Sequence, residues 1–232
     1  MHRVPADSRR PALLCRIVVL VSGSGSNLQA LLDTCAAGEI PASVVAVISN
    51  RADAYALQRA ARAGVDTLVM PHTDFGSREA FDRALAERID SFEPELVVLA
   101  GFMRILSPFF TQKYAGKMLN IHPSLLPKYP GLHTHQRAID AGDSEAGATV
   151  HFVTGDLDAG PAILQAAVPV RPGDDATRLA ARVLEQEHRI YPLVVGWFAS
   201  GRLALRDDAA WLDAQKLPPA GLVYEAPLAG VR

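Results

Sequence analysis

Cysteine is scarce, with two in 232 residues. That excludes a disulfide framework and a cysteine-rich zinc module. Cys15 opens an apolar run and Cys35 lies on a helical apolar face, so both read as small buried side chains in a reducing setting. No apolar run approaches the roughly 20 residues needed to cross a bilayer. The first residues, MHRVPADSRRPALL, are polar and basic, with too little apolar length for a secretory signal. Positive charge is not in excess: 23 Lys and Arg face 25 Asp and Glu, for a net charge of −2. Without a basic stripe there is no electrostatic footprint for nucleic acid. Internal repeats, low-complexity tracts and linkers are also lacking. What remains is the length of one α/β domain, about 200–250 residues, long enough to bury roughly 70–75% of its unfolded surface without a staple. The expectation is a soluble cytoplasmic protein. Residues 1–15 read as an N-terminal extension, 16–217 as a single domain and 218–232 as a C-terminal tail.

The organisation follows from periodicity. Arg16 to Ser22 is a continuous β-branched run, the pattern of a strand covered on both faces. After GSGS, the residues Leu28, Leu31, Leu32 and Cys35 fall on one helical stripe. Strands are predicted over 43–49, 65–70, 95–100 and 117–121, with helices over 52–63 and 76–89 and a short helix before the fifth strand. This alternation predicts an α/β fold, a Rossmann-like open twisted sheet that is mostly parallel, with helices on both faces. The strands 148–153 and 162–170 are joined by about eight residues, too few for a helical crossover, so an antiparallel C-terminal part is expected. A long helix follows from about Thr177, with Leu179, Val183, Ile190, Leu193, Val194 and Trp197 inward and Pro192 expected to kink or interrupt it.

The turn Ser22-Gly-Ser-Gly-Ser-Asn27 lies between a buried strand and a helix. Its glycines permit a tight turn whose amides, with the helix N-terminus, make an anion site; alternatively Ser26 or Asn27 caps the helix. A dinucleotide loop would carry a third glycine where Leu28 stands and an acid at the tip of the second strand, where Ser49-Asn50-Arg51 stands. A P-loop would need Gly-Lys-Ser/Thr. A single phosphate monoester fits better. Ligands of open α/β sheets collect at the carboxyl ends of strands. There Asn120 and His122, two apart, share one strand face, and a loop bearing Asp156 and Asp158 leaves a strand expected to end at the same edge. An amide, an imidazole and a carboxylate together suit acyl transfer between small molecules, the first two holding the oxygen of a tetrahedral intermediate. A nearby acid favours the charged imidazole. A solvated asparagine beside a core-edge histidine is the alternative reading of the same spacing.

The stretches IVVLVSGSGSNLQALLD, AGFMRILSPFF, LNIHPSLLPKYPGLHTH, VHFVTGDLDAGPAILQ and EQEHRIYP, with GRL through AAWLD, run from about Arg16 to Leu217. They resemble the phosphoribosylglycinamide formyltransferase family, folate-dependent enzymes of purine biosynthesis. The resemblance implies transfer of the formyl group of 10-formyltetrahydrofolate, a co-substrate, to the amine of glycinamide ribonucleotide, without metal or covalent enzyme intermediate. By it, Gly25, Ser26 and Asn27 hold the ribonucleotide phosphate and Glu187 reaches the ribonucleotide. Asn120 and His122 hold the formyl oxygen, His122 donating a proton and Asp158 supporting it and relaying protons through water. Met103, Arg104, Ile105 and Leu106, with Val153, Thr154, Gly155 and Asp156, line the folate site, to which Asn120 and Arg78 also belong.

Zinc is disfavoured, because His122 and His133 are eleven residues apart, interrupted by prolines and without a nearby cysteine. His151 reads as a packed or hydrogen-bonded core residue, His133 and His135 as a helix start, and His72 and His188 as surface positions. Two relatives of the fold are expected to differ in architecture: formyltetrahydrofolate hydrolase by an added N-terminal regulatory domain, methionyl-tRNA formyltransferase by a C-terminal RNA-binding domain. The expected partners are the two small substrates, with no nucleic acid or membrane, in a monomer or homodimer.

Overall fold

The computed structural model describes residues 14–225; most of the expected N-terminal extension and residues 226–232 lie outside them. β1 (Cys15–Val21) is aliphatic at every position but the first two, and apart from Arg16 all of it is buried. It sits inside an eight-stranded sheet with β2 (Ala42–Ser49), β3 (Asp66–Val69), β4 (Leu96–Leu99), β5 (Met118–His122), β6 (Glu145–Phe152), β7 (Ala162–Pro169) and β11 (Leu222–Val223). The spatial order is β11-β7-β6-β5-β4-β1-β2-β3. β1 pairs parallel with both β2 and β4, so the chain winds one way from β1 to β3 and the other way from β4. That reversal is the topological switch point where such sheets open a crevice.

Among the described residues six α-helices cover the faces: α1 (Ser26–Ala36), α2 (Tyr55–Arg62), α3 (Arg78–Asp90), α4 (Pro108–Lys113), α5 (Thr134–Asp140) and α6 (Ala176–Ala199). Alternation along β1 divides the core. Ile17, Val19 and Val21 pack with Leu28, Leu31, Ile190 and Val194 of α1 and α6. Val18 and Leu20 pack with Phe81, Leu85, Ile89 and Phe110 of α3 and α4. Each such side chain contributes roughly 1.5–3 kcal/mol on burial, which is why β1 tolerates no polar residue between Ile17 and Val21.

The predicted strands and helices are all present, and β6 and β7 pair antiparallel as their short connection requires. Four features differ from the sequence reading. Pro192 does not interrupt α6, which runs 24 residues through it. The cost of an interior proline, about 3 kcal/mol, is offset by Ile190, Tyr191, Val194 and Val195, all fully buried around it. Leu193 faces outward, 37% exposed, because the buried stripe passes through its neighbours. Past α6, a three-stranded antiparallel sheet of β8 (Leu203–Arg206), β9 (Ala209–Leu212) and β10 (Gln215–Lys216) was not anticipated. Its two-residue turns, Asp207-Asp208 and Asp213-Ala214, have positive φ at every position, the backbone of a type I′ hairpin; alanine is an unusual occupant there and hid the second turn. Leu222 and Val223, within the expected C-terminal tail, pair parallel with β7.

Tyr191 is fully buried, and its hydroxyl points between the carbonyls of Leu99 (2.9 Å) and Leu119 (3.0 Å). It ties α6 to the neighbouring strands β4 and β5. Tyr191→Phe is expected to lower stability by about 1–2 kcal/mol in urea unfolding; an unchanged midpoint would show that the hydroxyl holds nothing.

Candidate active site

The turn after β1 is built around Gly25, which has φ +72°. A Cβ there would lie 2.5 Å from the Ala56 Cβ, so both the backbone conformation and the packing of α2 demand glycine. Gly25 is the N-cap of α1 and no side chain caps the helix. Ser26 and Asn27 are therefore not caps: they are the first two helical residues. Their amides remain available to an anion at the positive end of the helix. Gly23 to Asn27, together with Arg51, Gly101 and Met103, line one open recess. Arg59 of α2 donates to the Ser24 carbonyl at 2.8 Å, placing a cation beside the turn. Asn27 is turned inward, its Nδ2 donating to Glu187 Oε2 at 2.6 Å. Glu187 is 7% exposed. Burial pushes its carboxyl above the ordinary range, while the Asn27 hydrogen bond pulls it back in part.

Asn120 and His122 stand at the end of β5 on the face opposite Leu119 and Ile121, which are in the α1/α6 core. The loop carrying Asp158 does not leave at this edge as expected. β6 runs antiparallel to β5, so the loop departs beside Met118, where the Val153 amide donates to the Met118 carbonyl (3.0 Å). It then returns along β5 to bring Asp158 Oδ2 within 3.4 Å of His122 Nδ1. The same Oδ2 accepts the Gly131 amide at 2.8 Å, and Asp158 itself takes φ +52°. His122 Nε2 lies 2.9 Å from the Tyr129 carbonyl. A carbonyl can only accept, so that nitrogen carries hydrogen, and the approach of Nδ1 to the carboxylate is attractive only when Nδ1 is protonated too.

His151 was read as a core residue, and it is buried and hydrogen-bonded. Its partners make it part of the site. Nδ1 lies 2.9 Å from the Phe152 carbonyl and therefore donates, leaving Nε2 to accept from Asn120 Nδ2 at 3.1 Å. Burial, the largest influence, pushes this imidazole below its usual value, against the pull of the Phe152 carbonyl and Asp158. A neutral His151 thus orients the Asn120 amide and leaves its second hydrogen free. No sequence spacing signals this pairing, because the residues are 31 apart and meet only through β5–β6 register.

Beside this group is a second recess, partly open to solvent. Arg104, Ile105, Leu106, Asn120, Val153, Thr154, Gly155, Asp156 and Asp158 line it. The structure therefore gathers nearly all residues that the resemblance assigns to the folate. Met103 lines the recess at the glycine turn instead. Arg78 is exposed at the first position of α3 and is not among the lining residues. His122 is 5% exposed and sits behind Asn120 and Asp158. Arg104 lies over the Phe81 ring, 5.6 Å from its centroid. His72 and His188, expected at the surface, are half-buried. Among the described residues no group of three or more His, Cys, Asp or Glu is arranged to hold a metal, and no helix is long and apolar enough to cross a membrane.

An oriented amide donor and an imidazole beside a carboxylate, set between two recesses at a sheet's switch point, suit acyl-group transfer between two bound small molecules. The comparisons narrow that class. The chain belongs to the formyl transferase family, whose sequence model matches residues 15–195. The phosphoribosylglycinamide formyltransferase of Escherichia coli (strain K12) is 60% identical over 205 residues, covering 88% of this chain and 97% of that protein. The protein of the same name from Haemophilus influenzae is 51% identical over 210 residues, covering 90% and 99%. The structure of the Coxiella burnetii phosphoribosylglycinamide formyltransferase, in complex with CHES, superimposes with a TM-score of 0.88 at 49% identity, over 91% of this chain and all (100%) of that one.

Gly25→Ala forces a β-carbon into Ala56 and is expected to weaken ribonucleotide binding at least about tenfold, measured by calorimetry. For Glu187, the folded carboxyl holds its proton more tightly than the unfolded one. Native protein thus binds more protons between the ordinary carboxylate range and the raised folded value, and stability falls as pH rises through that window. Glu187→Gln should therefore raise the melting temperature at pH 8, with the gain vanishing as pH falls through that window; a gain independent of pH would contradict the assignment.

Proposed function

We infer that this enzyme transfers the formyl group of 10-formyltetrahydrofolate to the amine of glycinamide ribonucleotide, giving formylglycinamide ribonucleotide and tetrahydrofolate in purine biosynthesis. The observation that carries the reading is the Asn120–His122–Asp158 group, set beside the second recess and packed around named hydrogen bonds. The ribonucleotide phosphate occupies the amides of Gly25, Ser26 and Asn27, and Glu187 holds Asn27 in place for the rest of that substrate. The folate lies along Arg104–Leu106 and Val153–Asp156, with Met103 at the border of the two recesses and Arg78 reaching in from the start of α3.

The amine nitrogen attacks the formyl carbon, and the carbonyl electrons move to oxygen. The free Nδ2 hydrogen of Asn120 and the Nδ1 hydrogen of His122 stabilise that oxyanion. His122 reaches it after the short adjustment that catalytic hydrogen bonds commonly make when substrate binds. Collapse expels N10 of the folate, which takes up a proton, while the attacking nitrogen loses one; Asp158 and ordered water carry the proton between them. The enzyme acts in the cytoplasm as a monomer or homodimer, on small molecules alone, through a single domain that runs from β1 to β11.

Transfer is tested by supplying 10-formyltetrahydrofolate with and without the ribonucleotide. Tetrahydrofolate release should require the ribonucleotide; release that ignores it would indicate transfer to water. His122→Ala and Asp158→Asn should each lower kcat at least about 100-fold, the loss of roughly 3 kcal/mol typical of one oxyanion contact. Ribonucleotide affinity should persist in both variants, and full activity in either one would remove its assigned role.

A further inference from the structure

Residues 102–107 belong to no helix or strand, yet their backbone borders both recesses. Ser22 and Met103 both line the recess at the glycine turn, and the residues that follow Met103, namely Arg104, Ile105 and Leu106, line the other. Their path is set from the two ends by buried side chains. At the far end, Asp82 of α3 accepts the Ser107 amide at 2.5 Å. At the near end the tether is Ser22, the first residue of the phosphate turn. Its hydroxyl accepts the Met103 amide at 2.8 Å and donates to Asn50 Oδ1 at 2.5 Å.

Asn50, at the tip of β2, thereby fixes the hydroxyl rotor with a lone pair aimed at Met103. Ser22 and Asn50 are each 5% exposed, so the bond between them is shielded from water, while the bond to the Met103 amide is partly buried. The backbone of the turn is held separately, by the Ser22 amide on the Gly101 carbonyl at 3.1 Å and by Gly25. The hydroxyl therefore serves the segment across the crevice rather than the turn that contains it.

We propose that Ser22, with Asn50 behind it, is a positioning residue for the folate, acting through the Met103 amide although it lies in the phosphate turn. This rests on the assignment of the second recess to the folate. Removing the hydroxyl takes away the side-chain partner of the Met103 amide and frees the near end of the segment, while the amides offered to phosphate keep their geometry.

The test is calorimetric binding of tetrahydrofolate and, separately, of glycinamide ribonucleotide to the full-length enzyme and to Ser22→Ala, Asn50→Ala and the double variant. Ser22→Ala is expected to weaken tetrahydrofolate about tenfold, equivalent to about 1.4 kcal/mol, and ribonucleotide by less than about threefold. Asn50→Ala should weaken tetrahydrofolate by a smaller factor. The double variant should lose no more than Ser22→Ala alone, because both act through one bond. If Ser22→Ala does not fold, the same selective loss of tetrahydrofolate in Asn50→Ala supports the proposal and its absence refutes it. Equal loss of both ligands, additive losses or unchanged tetrahydrofolate affinity would overturn it. A parent enzyme that binds ribonucleotide but no tetrahydrofolate would overturn the folate assignment itself, and this proposal with it.

Discussion

The arrangement of the site depends on one pairing, that of β6 running antiparallel against β5 in a sheet whose strands up to β5 all run parallel. This register places His151 opposite Asn120 and Thr149 opposite His122. It also sends the following loop back along β5, where it must fold over the strand to reach the carboxyl edge. Asp158 arrives beside His122 because of that return. In a wholly parallel sheet the strand beside β5 would need a helical crossover of a dozen or more residues, and no imidazole would sit level with the amide.

Around that pairing, polar groups are used in ways that fix protonation. His122 has one nitrogen committed to a carbonyl and the other turned to a carboxylate. His151 has one nitrogen committed to a carbonyl and the other accepting from an amide. His151 is thereby held neutral: its burial is the largest influence and outweighs the pull of the Phe152 carbonyl and of Asp158, whose Oδ1 lies 4.0 Å from its Nε2.

The two recesses are also mechanically joined. The phosphate turn and the segment 102–107 leave adjacent parallel strands at the switch point, and side chains from a third strand tip and from α3 hold the segment in place. Irregular backbone can be rigid when its amides are satisfied by buried side chains; here Ser22, oriented by Asn50, and Asp82 supply that. The hydroxyl of Tyr191 instead meets the carbonyls of the strand ends beneath.

The sequence by itself determined the strand–helix alternation, the glycine turn and the pairing of Asn120 with His122 on one strand face, because each is encoded in local spacing. Gly25 is required by its own φ, and the aliphatic run of β1 could only be a covered strand. The sequence reading went astray where a local rule met a tertiary one: Pro192 was overridden by the packing on either side of it, and the Asp213-Ala214 turn used a residue with no turn preference. Only the tertiary structure decided which way β6 runs, how Asp158 reaches His122, that His151 orients Asn120, and that Ser22 serves the far side of the crevice. Those contacts join residues from 28 to 81 positions apart. Hydrogen bonds at such separations leave no periodicity in the chain; they exist only once sheet register and helix packing have set the distances.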